Sequence, residues 1–106
     1  MPTYNKLVRD RIPQIIEESG SSPRTRILSD DEYGQHLQIK LREETEEYFS
    51  AATSQEALEE MADMLEVMRA LAVRHGASWG QLEAIRAKKA EARGGFEERV
   101  YLIDVQ

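Results

Sequence analysis

The sequence predicts an all-α single domain over residues 1–106. It reads as a helical bundle around a central antiparallel helix hairpin, with a small β accessory from residues 26–28 and the C-terminal tail, completed by oligomerisation. Three observations carry this. Apolar residues recur at helical spacing in two long segments that flank a break at Thr53–Ser54. Start and stop signals bracket the segments, with Ser29/Glu32 and Thr53/Glu56 at two starts and Gly20, Gly76 and Gly94 at three ends. At 106 residues and 41% hydrophobic composition there is material for a modest core but not a deep one, and helical domains of this size often complete their core with another copy.

Asp10 is the cap candidate for a first short helix, with Pro13 in its early turn and Gly20 at its end. Residues 21–25 read as loop, and Arg26 to Leu28 as a brief extended segment. Ser29 and Glu32 form a capping box for a long helix from Asp30 to about Ala52. Along it Leu37, Leu41, Tyr48 and Ala52 mark one apolar stripe, while His36, Lys40, Glu43 and Glu47 line another. Thr53 and Glu56 form a second box, and the next helix runs to His75 with Gly76 as its stop. Its Met61, Met64, Leu65, Val67, Met68, Leu71, Ala72 and Val73 cover most of the circumference, the pattern of a central helix packed by several neighbours. Ser78 and Gln81 open a fourth helix, with Trp79 at its start and Leu82 and Ile85 on its inner face, ending at Gly94-Gly95. The tail from Val100 to Val105 is rich in strand formers, a candidate to pair with residues 26–28 or with another subunit.

Composition removes whole classes of function. Acidic residues outnumber basic ones 20 to 14, a net charge of −6, which argues against a coat for polymeric nucleic acid or an anionic membrane surface. With no cysteine there is neither a disulfide nor a thiolate zinc site, and two histidines are too few for a histidine-based centre. Carboxylates are the ligands that remain. No apolar run approaches the roughly 18 residues of a membrane span and no signal-peptide core opens the chain, so a cytoplasmic protein is expected.

The acids are arranged as a mirror. Glu44 and Glu47 precede the break at Thr53–Ser54 by the same number of positions by which Asp63 and Glu60 follow it. In an antiparallel hairpin Glu44 comes level with Asp63 and Glu47 with Glu60, roughly 14 and 10 Å from the turn at 1.5 Å rise per residue. Each pair, spaced three apart, projects from one face of its helix, and facing pairs repel unless a cation sits among them. The plain alternative is a wet face, because Glu56, Glu59, Glu60, Asp63 and Glu66 all fall within an arc of about 120°. A solvated face needs no mirrored register, however. A hard divalent ion fits the donor set, Mg²⁺ with Mn²⁺ as the alternative.

The pattern Glu43-Glu44-Thr45-Glu46-Glu47 followed by Glu60-Met61-Ala62-Asp63 resembles the EExxE and ExxD signature of the MazG-like all-α nucleoside triphosphate pyrophosphohydrolases. YNKLVRDRIP (Tyr4 to Pro13) and KKAEARGGFEERVYL (Lys88 to Leu102) are similar to the flanking segments of a compact MazG-like subgroup that carries the name phosphoribosyl-ATP pyrophosphohydrolase-like. The resemblance covers nearly the whole chain. It implies Mg²⁺-dependent cleavage of a nucleoside triphosphate to monophosphate and pyrophosphate, in a homo-oligomer that is a dimer or a dimer of dimers. Carried over by position, Glu44, Glu47, Glu60 and Asp63 are the metal ligands, and Glu43 is the candidate to activate water. Lys6, Arg9, Lys88, Lys89 and Arg93 are the candidates for phosphate contact, and Asn5 with Tyr4 for base or sugar. Phosphoribosyl-ATP in histidine biosynthesis is the alternative substrate, and an acidic helical interaction module the non-catalytic alternative.

Overall fold

A computed structural model describes residues 2–106. Among them are four helices and no strand: α1 (Ile12–Glu18), α2 (Asp30–Phe49), α3 (Ser54–Arg74) and α4 (Trp79–Arg93). The all-α expectation holds. Residues 26–28 and the tail run as irregular chain, and Arg26 spends its guanidinium on Glu32 at 2.7 and 3.1 Å.

Local chemistry explains the boundaries. The Ser29 hydroxyl accepts from the Glu32 N–H and the Glu32 carboxylate accepts from the Ser29 N–H, a complete box for α2, and Ser78 with Gln81 repeats it for α4. The box at α3 is one-sided. Thr53 accepts from the Glu56 N–H at 3.1 Å, but the Glu56 carboxylate takes the Ala52 N–H at 2.9 Å instead of that of Thr53. That contact draws Ala52 into the turn and ends α2 at Phe49, short of the expected position. α1 is capped by the backbone of Arg11 with no side-chain bond, not by Asp10, and Pro13 in its first turn leaves one fewer N–H in need of a cap.

α2 and α3 form the expected hairpin. Leu37, Val67 and Ala72 are buried, and Gly34 and Glu44 are buried beside Leu37 on the inner face of α2. At the open end, the Arg74 guanidinium donates to the Asp30 carbonyl at 3.4 Å and lies 3.6 Å from the Asp30 carboxylate. It fits because residue 34 is glycine: a Cβ there would strike the guanidinium. α4 packs only on α3.

The core is thin. The radius of gyration is 18.0 Å, against about 13 Å for a compact chain of this length, and the longest dimension is 61 Å. Met61, Leu65 and Val73 on α3, read from the sequence as packed on most sides, are exposed because α2 and α4 are the only helices among the described residues that pack on it.

Candidate metal centre

Glu44 lies two turns after Leu37, so the helix that buries the leucine carries the carboxylate into the same interface. It is 6% exposed, the one charged residue among the buried positions of the described chain. Glu60 meets it from α3, half-buried, and Glu47 closes the group from the exposed edge of α2. One oxygen from each of the three lies within 4.8 Å of the others. Glu44 Oε2 and Glu60 Oε2 are both buried without a hydrogen-bond partner.

A hydrogen bond with Glu47, burial and the neighbouring Glu44 push the Glu60 carboxyl up to about 7. Burial, with the charges of Glu47 and Asp63, raises Glu44 as well, against the pull of the Glu60 hydrogen bond and of Lys40. Without an ion, Glu60 therefore holds its proton below about pH 7. The Lys40 ammonium supplies the fixed positive charge, 3.4 Å from Glu44 and 3.7 Å from Glu43.

The mirrored register brings the two arms together, with one difference. Glu60 sits between Glu44 and Glu47, while Asp63 lies outside that group and accepts from Arg9 at 2.5 Å. A three-residue step turns a helix by about 300°, so Glu60 and Asp63 diverge by about 60°, and the shorter Asp63 side chain reaches less far inward. Arg9 comes from the irregular segment before α1, whose Leu7 and Val8 line a cleft of ≈ 120 Å³ with Tyr33, Leu37 and Val67. Arg9, Lys40, Glu44, Asp63 and Glu66 form its polar side.

The other expected residues are dispersed. Glu43 is half-buried and faces Lys40. Asn5 is exposed with φ 45°, a left-handed position that asparagine tolerates, and Lys6 folds its ammonium over the Tyr4 ring at 5.3 Å. Lys88, Lys89 and Arg93 are exposed on α4, and none makes an ion pair among the described residues. Sequence reasoning missed Lys40 as counter-ion and Tyr33 as cleft wall. The spacing of Lys40 to Glu44, one helical turn, was the available signal for the first.

The donor set suits a hard cation. Three carboxylates from two helices offer oxygens that all lie within 4.8 Å of one another, and Glu44 and Glu60 each carry a buried oxygen without a hydrogen-bond partner.

No family model matches the chain, and no solved structure matches it. Among curated proteins, an uncharacterized protein of Mycolicibacterium smegmatis (strain ATCC 700084 / mc(2)155) is 54% identical over 54 residues, 51% of this chain and 55% of that protein. The similarity thus spans about half the length of each and carries no function with it.

Proposed function

We propose that the chain is a Mg²⁺-dependent pyrophosphohydrolase of nucleoside triphosphates, the reading its MazG-like motif pattern implies. One observation supports it above the others: Glu44, almost fully buried, faces Glu60 across the hairpin with an orphaned oxygen on each. A buried polar atom without a hydrogen-bond partner, as Glu44 Oε2 is, costs about 1–3 kcal/mol, and an acid placed only for solubility would not be taken out of water. Glu44, Glu47 and Glu60 would hold the ion, with Asp63 joining once its pairing with Arg9 is released.

When bound, a divalent ion neutralises phosphate oxygens and acidifies a coordinated water. The chain's own residues would do the rest. Glu43, beside Lys40, would accept a proton from water. Arg9 and Lys40, at the polar side of the cleft, would draw the triphosphate toward the acids, and Lys6, Lys88, Lys89 and Arg93 add positive charge from both ends of the chain. Tyr33, Leu37 and Val67 offer an apolar wall to a base. At ≈ 120 Å³ the cleft falls below the about 300–1,000 Å³ of typical small-molecule sites, so it takes part of a nucleotide, and the reading includes a further subunit that supplies the rest.

A panel of canonical, deoxy and modified triphosphates beside phosphoribosyl-ATP, with pyrophosphate detection in Mg²⁺ and then in chelator, tests this. Pyrophosphate release that chelator abolishes is expected. Preference for phosphoribosyl-ATP would change the substrate, and silence across the panel would remove the hydrolase.

A further inference from the structure

The chain exposes two apolar surfaces that do not cover each other. The first is a stripe on α3, Leu58, Met61 and Leu65, exposed by 58%, 46% and 46%. Their spacings of three and four place them on one face, about 10 Å long at 1.5 Å per residue. Glu60 and Val67, on the face turned to α2, lie about 100° or more away from the centre of that stripe. The second surface is the tail after α4. Phe96, Val100, Tyr101, Leu102, Ile103 and Val105 are exposed by 73–97%, and among the described residues the backbone beyond Gly95 makes one hydrogen bond, Arg99 N–H to the Phe96 carbonyl at 3.1 Å. Arg99 holds φ 61°, a left-handed value unusual for arginine, so this turn sets the direction of the segment that follows.

The surface area says how much is left uncovered. The chain exposes 9631 Å², where a compact monomer of its mass exposes about 6,100 Å², an excess of about 3,500 Å². A stable pair of proteins buries about 1,200–2,000 Å² in total. The excess on one chain is enough for such an interface with no rearrangement of the helices. Phe96 and Tyr101 alone can each remove about 150–250 Å² from water.

We propose that residues 96–105 form an arm that lies across the Leu58–Met61–Leu65 stripe of a second copy of the chain, the exchange being mutual. The arm's sequence suits the role. Six large, exposed apolar side chains present more contact than the stripe could receive from another stripe, and stripe against stripe would leave both arms in water. Reciprocal exchange is also the closed, two-fold solution: each copy gives one arm and receives one, so neither an arm nor a stripe is left over to recruit a third. The inference is independent of the metal centre and stands whether or not the carboxylates hold an ion.

The absence of cysteine gives a clean test on the whole chain. Light scattering on the unaltered protein should give twice the chain mass, and Leu102→Asp, a change at a residue 73% exposed in the single chain, should halve that mass while leaving helical circular dichroism intact. Leu65→Cys and Leu102→Cys chains, mixed and oxidised, should form the mixed covalent pair. A monomeric parent protein, a dimer indifferent to Leu102→Asp, or covalent pairs that join only like positions would each overturn the arm. In a chain carrying both cysteines, closure within one molecule means that the arm folds back on its own helix, which also overturns it.

Discussion

Glu44→Gln should reverse sign with the ion. In chelator at about pH 8, a unit above the Glu60 value of about 7, Glu60 is largely ionised and faces the buried Glu44 carboxylate, which has an unpartnered oxygen of its own. The amide introduced by the substitution would donate to Glu60, removing one of the two like charges and the unpartnered carboxylate oxygen of Glu44 together. Relieving a buried unsatisfied group is worth about 1–3 kcal/mol, from which about 0.3–0.5 kcal/mol is lost with the one-turn Lys40–Glu44 pair. The variant is therefore the more stable protein by about 0.5–2.7 kcal/mol, a rise of about 2–22 °C in Tm for a domain of this size. Adding Mg²⁺ at a hundred times its dissociation constant should then lift the parent by about 2.7 kcal/mol and leave Glu44→Gln unmoved, so that the order of the two melting curves exchanges. Scanning calorimetry of both proteins in chelator and in millimolar Mg²⁺ reads this directly. A variant that melts lower in chelator and rises with Mg²⁺ as the parent does would show that Glu44 is a structural acid and nothing more.

Two further outcomes follow from the same site. Because the Glu60 carboxyl is raised to about 7 in the folded chain, the native state holds more protons than the unfolded one between its ordinary value and about 7, so stability in chelator should fall as pH rises through that window. A Tm that climbs over that range would contradict the coupling, and saturating Mg²⁺ should abolish or invert the slope by replacing the proton. If Asp63 joins the ion as proposed, Arg9 would compete with it for that carboxylate, and Arg9→Ala should tighten Mn²⁺ binding by about two- to fivefold, the worth of an exposed ion pair. Titration calorimetry showing weaker or unchanged Mn²⁺ affinity would leave Arg9 with no hold on the site.

What the sequence disclosed was what depends on periodicity. Ser29 with Glu32 and Thr53 with its neighbours located the long helices because a cap is a local bond between residues three apart. Glu47 and Glu60 were legible because a short turn and a constant rise place them level across the hairpin, whereas Glu44, expected level with Asp63, joins Glu60 instead. The partner of Asp63 was not. Arg9 reaches it from chain without regular structure, where no repeat links sequence distance to spatial distance. The β accessory read into residues 26–28 and 100–105 shows a related limit: strand propensity states a readiness to pair, while pairing needs an edge, and the described residues offer none. Likewise Met61 and Leu65 advertised a buried helix, but periodicity does not say which molecule does the burying.

The Arg74 guanidinium resting on Gly34 has a consequence at the other end of the hairpin. Helices slide past one another in steps, and a shift of one residue rotates the facing side chains by about 100°. Gly34 and Glu44 are ten positions apart, about 15 Å along α2, so the arginine seated against bare backbone pins the helix pair well away from the carboxylates. An alanine in place of Gly34 would touch no carboxylate, yet it would displace the end of the Arg74 side chain and with it the contact to Asp30 that fastens the open end of the hairpin.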